Sequence, residues 1–236
     1  MLNKFNRFLI SYNLILKIWK TKKISSQTAK ILIETKCVDI SLKKKFLLTS
    51  GKKSPIYCDC RRLISFPEQR KKIINFAVEK LKSHNIFIKI KNIAGGESAG
   101  IPFASFISQK LNLPLSYIRK EKKRFGKNSQ IEGIIKPNEN VLLVEDLMTD
   151  GGSKVKFIES ILKAKAKINM IFVIFNYGIN IDFFEVKKKK IKVLHLATWQ
   201  DVLHEFTKSK KISDKDKKKI EKFLKSIGVK NLKFSP

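Results

Sequence analysis

The stretch Val141–Ser153, VLLVEDLMTDGGS, constrains the chain more than any other. Four apolar residues, Val141 to Val144, run without a break into two adjacent carboxylates, Glu145 and Asp146. A continuous apolar run reads as a strand buried on both faces, the habit of parallel sheets. Thr149, Asp150, Gly151, Gly152 and Ser153 follow, and then Val155, Ile158, Ile161 and Leu162 recur at helical spacing. The sequence therefore predicts a buried parallel strand, a tight loop and a helix N-terminus, in that order.

Each part of this stretch suits a sugar phosphate. A helix start presents unpaired N–H groups and the positive end of its dipole. Glycines let consecutive backbone N–H groups converge on one anion. Thr149 and Ser153 add hydroxyl donors, and the strand-end carboxylates are acceptors suited to a vicinal diol or a divalent cation. An acidic pair or a Gly-Gly alone reads as an ordinary turn. Together, at the C-terminal end of an apolar strand, they mark the place where open α/β sheets bind ligands. No Gly-Lys-Ser/Thr ending is present, so this is not a Walker loop.

At 236 residues, 43% of them hydrophobic, the chain suffices for one α/β domain with a real core. Its formal net charge is +31, from 51 Lys and Arg against 20 Asp and Glu. Such an excess raises the question of a nucleic-acid partner. Only six of the 51 are Arg, and the lysines are scattered, which is the pattern of a solvated surface rather than of a nucleic-acid face. The three cysteines, Cys37, Cys58 and Cys60, offer neither a disulfide framework nor zinc spacing, and they fit a reducing cytoplasm. Phe8–Trp19 is apolar with Lys on both sides, too short for a membrane span and without a small-residue cleavage site. It reads as an extra amphipathic helix packing on the domain or on a partner subunit, with a membrane-surface helix as the alternative.

Elsewhere the periodicities predict a helix over Ser25–Val38 capped by Ser25 or Ser26, and a hairpin through Ser50-Gly51-Lys52 within Phe46–Leu63. Further helices are expected over Pro67–Lys82, from about Ile101 to Leu111 with Ser98 as cap, after Thr198, and from Lys211 onward. Strands are expected at Lys91–Ala94, Leu115–Ile118, Ile168–Phe175 and Ile191–Ala197. Gly95, Gly96 and Gly100 permit a tight turn with backbone close to a ligand. His84, His195 and His204 have no partner pattern for metal or triad chemistry and read as structural.

The order hydrophobic strand, acid-acid, two spacers, Thr-x-Gly-Gly-Ser resembles the diphosphate-sugar signature of type I phosphoribosyltransferases, which use 5-phosphoribosyl 1-diphosphate (PRPP). The resemblance implies their fold, a central mostly parallel sheet flanked by helices with a small N-terminal hood. It also implies that Glu145 and Asp146 hold the ribose hydroxyls, that Thr149, Asp150, Gly151, Gly152 and Ser153 wrap the 5′-phosphate, and that Leu147 and Met148 belong to the PRPP-binding stretch. Ser98 and Ala99 fall on the loop that grips the diphosphate. Phe46, Leu48, Ser50, Gly51, Ser54, Pro55 and Tyr57 resemble the hood of orotate phosphoribosyltransferases, the pyrimidine branch. Arg119-Lys120-Glu121-x-Lys123-x-x-Gly126 resembles their catalytic loop, which closes over PRPP, often that of the neighbouring subunit in a dimer.

By this resemblance the chain transfers ribose 5-phosphate from PRPP to orotate in pyrimidine biosynthesis, as a cytoplasmic homodimer sharing loop 119–130. Catalytic roles fall to Arg119, Lys120, Lys123 and Asp146, and orotate contacts to Thr49, Thr149, Tyr57 and Arg61. Mg²⁺ arrives with PRPP, with Asp146 a candidate ligand. Four positions depart from the family pattern: Thr49 and Ala99 where Lys is frequent, Phe125 where many members carry His, and Asn176 where some have Arg. The implied division is an extension over 1–24, a phosphoribosyltransferase domain over 25–208 and a charged C-terminal helix over 209–236. The competing readings are a purine phosphoribosyltransferase, opposed by the LTSGKKSPIY and RKEKK segments, and a non-catalytic nucleic-acid-binding regulator.

Overall fold

Apolar strands buried on both faces occupy the middle of the molecule. The structure, a computed structural model, describes residues 2–48, 51–122, 129–230 and 232, with side chains of the first helix described at 16 and from 18 onward. In chain order the elements are helix α1 (Leu2–Glu34), short strands β1 (Val38–Ile40), β2 (Phe46–Leu47), β3 (Lys53–Ser54) and β4 (Ile56–Cys58), and helix α2 (Pro67–Lys82). Then follow β5 (Asn92–Gly96), α3 (Gly100–Leu111), β6 (Leu115–Ile118), β7 (Ile131–Glu132), β8 (Asn140–Met148), α4 (Gly152–Lys163) and β9 (Lys167–Asn176). The chain ends with β10 (Phe183–Val186), β11 (Lys189–Thr198), α5 (Trp199–Lys208) and α6 (Asp214–Ser226). Short 3₁₀ helices fill Cys60–Ser65 and Asn85–Lys89.

The large sheet has the order β10-β11-β9-β8-β5-β6-β7. Its five inner strands are parallel and its two edge strands antiparallel. Alternation along the strands divides the core into two layers. Leu142, Val144, Phe172, Ile174, Leu194 and Leu196 pack with α1, α2, α3, α5 and α6. Val141, Leu143, Ile171, Val173 and Val193 pack with Phe157, Ile158 and Ile161 of α4 and with Phe184 of β10. The connection from β5 through α3 runs to β6 on one side, whereas β8 lies on the other side of β5. Strand order therefore reverses between β5 and β8, and the crevice beyond their C-terminal ends is where an open sheet takes a ligand.

Several expectations change. α1 runs unbroken through 25, because Ser25 bonds back to the Thr21 carbonyl (3.1 Å) and Ser26 donates to Glu205 (2.6 Å), so neither caps a helix. Ile24, Ala29, Ile31 and Leu32 are buried against the domain, whereas Leu16, Ile18 and Trp19 are exposed. Ser98 does not cap α3, which starts at Gly100 behind Ala99 without a side-chain cap. Cys60 opens a 3₁₀ helix instead of continuing a strand, yet its sulfur lies 3.6 Å from that of Cys58, and all three cysteines are free and buried. β10 was not expected. Its turn into β11 puts Lys187 and Lys188 at φ of 50° and 63°, a left-handed pair normally advertised by Asn or Gly. The hood hairpin forms as expected, Phe46 opposite Ser54 and Leu47 opposite Lys53, with Gly51 at φ 77° in the turn. Among the described residues no helix is long and apolar enough to cross a membrane.

His195, on β11, has a structural setting. Its Nδ1 is sealed without a hydrogen-bond partner among the described residues, and burial, reinforced by Lys80 and Lys192, pushes its pKa down to about 3 from 6.5, against an opposing pull from Asp182. The unfolded chain takes up this proton near pH 6.5 and the folded one does not, so stability from this group is present above that pH and is lost as pH falls toward 3. Urea unfolding at a series of pH values is expected to show a shallower acid loss for His195→Gln than for the unaltered chain across that window; equal slopes would contradict the assignment.

Candidate active site

β8 runs to Met148, four residues past the apolar run, so both acids lie inside the strand. Adjacent strand residues point to opposite faces. Glu145 faces the α4 side, where it meets Lys154, and Asp146 lies on the side of Arg61, Cys58 and Cys60, whose charges it influences or feels. The carboxylates are neighbours in sequence but not side by side. Both are nearly buried, at 5% and 7% exposure. Burial raises both pKa values, and Lys154 is the strongest influence in the opposite direction for each. Asp146 is also helped toward its charged form by backbone N–H groups and by Arg61.

Glu145 has an ion pair with Lys154, Oε2 to Nζ 2.6 Å, and its other oxygen has no hydrogen-bond partner among the described residues. That free Oε1 lies against β5 and the start of α3. A Cβ on Gly96 would stand 2.1 Å from it, and one on Gly100 would stand 2.5 Å from it. Gly95 is likewise filled from the protein side, by Ile101 and Ala104. These glycines admit the Glu145 carboxylate and α3, rather than a ligand as their spacing suggested.

The loop after β8 is only Thr149–Gly151, since α4 starts at Gly152. Gly151 has φ 91°, and a Cβ there would meet Phe184 at 2.5 Å and Met148 at 2.7 Å, so β10 packs directly under the loop. Asp150 accepts from the Gly152 N–H (3.1 Å) and from Thr149 (3.3 Å), placing a carboxylate where a helix start favours negative charge. Met148 is buried in the α4-side core and Leu147 packs against the other layer, so these two anchor the strand end below the loop. Asn180 donates to the Asp150 carbonyl at 2.7 Å. Asn176, fully buried, donates to the Asn180 carbonyl and accepts from the Gly178 N–H. The loop after β9 thus braces the loop after β8.

On the β5 side, Ser98 is exposed and Ala99 half-buried. Glu97 accepts from the Lys120 N–H at 2.7 Å, tying the base of loop 119–130 to this turn. Lys120 is near enough to Glu145 to favour its charged form. Arg119 pairs through its backbone with Gln130 (2.8 Å), and its guanidinium lies 3.8 Å from Glu132 while Nε has no hydrogen-bond partner among the described residues. In the hood, Tyr57 stacks on Phe46 with centroids 5.5 Å apart, and Arg61 donates to Asp59 (2.5 Å) and to the Tyr57 hydroxyl (3.3 Å). Thr49, Lys123, Phe125 and Gly126 lie outside the described residues.

The structure thus brings Glu145, Asp146, the 149–153 loop, the 97–99 turn and Lys120 to one crevice. Lys154, Glu97 and Asn180 are parts of this assembly that the motifs did not reveal. Lys154 reads as an ordinary surface lysine of a basic chain, and Asn180 stands in a segment without periodicity.

Comparison with known proteins shows the family. Residues 67–200 match the phosphoribosyl transferase domain model. The chain is 46% identical over 182 residues to an orotate phosphoribosyltransferase of Dinoroseobacter shibae, covering 75% of this chain and 79% of that one. It is 42% identical over 200 residues to one of Rhizobium rhizogenes, covering 83% and 85%. Among solved structures, the orotate phosphoribosyltransferase of Aeropyrum pernix superposes with a TM-score of 0.63 at 26% identity, over 76% of this chain and 97% of that one. The UMP synthase of Leishmania donovani superposes with a TM-score of 0.69 at 28% identity, over 85% of this chain but 42% of that longer one.

The tight fit of Glu145 against β5 yields a stability test. Gly96→Ala would press a methyl onto the Glu145 carboxylate and onto Phe157 at 2.6 Å. It is expected to cost about 2 kcal/mol, in the range of core overpacking, measured as a lower urea midpoint. No change in the midpoint would mean that Glu145 is not held where the structure puts it.

Proposed function

This chain belongs to the phosphoribosyltransferase family, and we infer from its orotate-using relatives that it transfers ribose 5-phosphate from PRPP to orotate, giving orotidine 5′-monophosphate and diphosphate. The observation that carries this reading is the meeting, at the reversal of strand order, of a buried carboxylate pair and a glycine-opened helix N-terminus. The first suits the hydroxyls of a pentose and the second its 5′-phosphate.

As C1′ parts from diphosphate, positive charge develops on the sugar and negative charge on the leaving group. The 149–153 backbone and the Thr149 and Ser153 hydroxyls hold the 5′-phosphate, with Leu147 and Met148 fixing the strand end beneath them. Glu145 and Asp146 hold the ribose hydroxyls, so the sugar stays still while C1′ moves between the two groups. Arg119, Lys120 and Lys123 offset the charge of the departing diphosphate, with Ser98 and Ala99 presenting the 97–99 turn to it. Orotate, already an anion, needs no dedicated general base at its ring nitrogen. Its proposed contacts are Thr149 and, from the hood segment, Thr49, Tyr57 and Arg61. The charge of Arg61 favours the ionised form of Asp146, which supports a role for it in place of the lysine absent at Thr49.

Among the described residues no three acidic, His or Cys side chains gather into a metal cage. One or two strand-end carboxylates beside a polyphosphate are the donor set of a Mg²⁺ that keeps several waters, so the residues fit an ion carried in by PRPP, with Asp146 its protein ligand. Mg²⁺ bound there would neutralise charge on the diphosphate.

The rest of the reading concerns the whole chain. Residues 1–24 form an N-terminal extension, 25–208 the phosphoribosyltransferase domain and 209–236 a charged C-terminal segment, whose helix α6 buries Ile220 and Leu224 in the core of the domain. The chain acts in the cytoplasm as a homodimer sharing loop 119–130.

Turnover of orotate, hypoxanthine and adenine, each with PRPP and Mg²⁺, tests the assignment; only orotate is expected to release diphosphate. Arg119→Ala is expected to lower kcat/KM by about a hundredfold, the scale of losing a charge-stabilising donor, with its unfolding midpoint unchanged. Undiminished turnover in that variant would remove Arg119 from the reaction.

A further inference from the structure

Helix α1 is one unbroken element from Leu2 to Glu34, so the angular position of each residue on it is fixed relative to every other. Its second half packs on the domain through Ile24, Thr28, Ile31 and Leu32, all buried. In its first half Phe5, Phe8, Tyr12, Ile15 and Trp19 recur at steps of three and four, the spacing of a single helix face. Carried on at that spacing, the same face passes through Lys23, Gln27, Lys30 and Glu34, every one exposed. The apolar positions of the first half thus fall on the side of α1 turned away from the domain. Where side chains are described, this end of the helix is open: Leu16 is 44% and Trp19 60% exposed, and Ile18, off the face, is exposed as well. An apolar face that its own domain cannot reach stays in water unless something else covers it.

The charges around the face indicate what that is. Residues 2–23 carry six cations, Lys4, Arg7, Lys17, Lys20, Lys22 and Lys23, and no Asp or Glu. Lys20 pairs with Glu79 of α2 at 2.8 Å, and the Lys23 Nζ lies 5.1 Å from the centre of the Trp19 ring. A second copy of the helix would bring another six cations to the same seam, with no acid in the segment to offset them. Duplex nucleic acid would use the cations and leave the aromatic positions in water. A bilayer surface bearing anionic lipids takes both, since its phosphates meet Lys and Arg while aromatic and aliphatic side chains enter the headgroup boundary.

We propose that the first half of α1 lies flat on an anionic membrane surface, its Phe5–Trp19 face in the headgroup boundary and its cations among the lipid phosphates, with the domain carried on the other side of the helix. A single apolar face suits a helix that lies in the interface rather than one that crosses. The same segment is not apolar enough to span. This inference is independent of the reading of the crevice.

The test is co-sedimentation of the full-length protein with vesicles of equimolar phosphatidylcholine and phosphatidylglycerol, and with vesicles of phosphatidylcholine alone. Binding is expected to the mixed vesicles only and to weaken as salt is raised. Tryptophan emission should shift to the blue on binding. The second tryptophan, Trp199, is sealed in the core, so that shift reports Trp19. Leu16→Ser/Trp19→Ser is expected to lower the partition coefficient about tenfold, and Lys22→Glu/Lys23→Glu by a similar factor. All four residues are exposed, so the urea midpoints should stay where they are. The many lysines elsewhere also attract anionic vesicles. Undiminished binding of Leu16→Ser/Trp19→Ser, or no emission shift in the unaltered chain, assigns the contact to them and overturns the proposal. So does equal binding to phosphatidylcholine alone, or binding to neither vesicle. If vesicles are not bound and Leu16→Ser/Trp19→Ser lowers the oligomeric order in sedimentation velocity, the face belongs to a second copy and the proposal falls.

Discussion

Strand β8 is hydrogen-bonded on both edges and covered on both faces, and the rest of the site is arranged around it. A strand in that position has no solvent side to which a charged residue can turn. Glu145 and Asp146 are therefore delivered to different layers and lose most of their hydration. Each needs compensation from its surroundings. For Glu145 it comes from Lys154 on α4, and for Asp146 from backbone N–H groups, from Lys154 across the strand and from Arg61 in the hood. Two buried carboxylates at a strand tip do not help folding, since their desolvation outweighs what their partners return in most settings. Their persistence at the reversal of strand order is what a binding site requires and a scaffold does not.

The loops around the crevice are built to leave this strand end undisturbed. Gly96 and Gly100 keep side chains away from Glu145, so β5 and the start of α3 close on β8 with the carboxylate between them. Gly151 lets the chain turn sharply above Phe184, and Asn180 holds the Asp150 carbonyl from the neighbouring connection. Glu97 reaches from the β5 turn to the Lys120 N–H. The connections after β5 and β6 are thereby tied to each other, and those after β8 and β9 likewise, by hydrogen bonds rather than left as independent loops. That rigidity suits a reaction in which the sugar must stay fixed while its anomeric carbon travels.

The sheet and the position of the site were legible because their signals are local. The Val141–Val144 run, the Pro67–Lys82 periodicity with Ile73, Ile74, Ala77, Val78 and Leu81 inward, and Thr198 as the cap of α5 all appear as read. The signals that failed are those in which a residue acts out of type. Ser25, Ser26 and Ser98 are good caps in isolation, but tertiary packing carries α1 through the first two and starts α3 after the third. Lys187 and Lys188 turn a hairpin that glycine or asparagine would have announced. Lys154 is invisible among 45 lysines, because only the fold reveals that this one is inside.

The departures from the family pattern then acquire a physical account from their surroundings. Asn176 does not replace a lost cation; its amide closes the turn that braces Asp150, a task that a guanidinium, which has donors and no acceptor, would not perform for the Gly178 N–H. Ala99, half-buried at the start of α3, leaves the β5 turn to offer backbone rather than charge, and Glu97 beside it recruits the Lys120 segment by its N–H. Cationic character at the crevice is thereby moved off the turn after β5 and onto Arg61 and the 119–120 segment, which lie at its two flanks. A chain with six arginines that commits two of them to those flanks is using planar, always-charged donors where lysines at Thr49 and Ala99 would otherwise have stood.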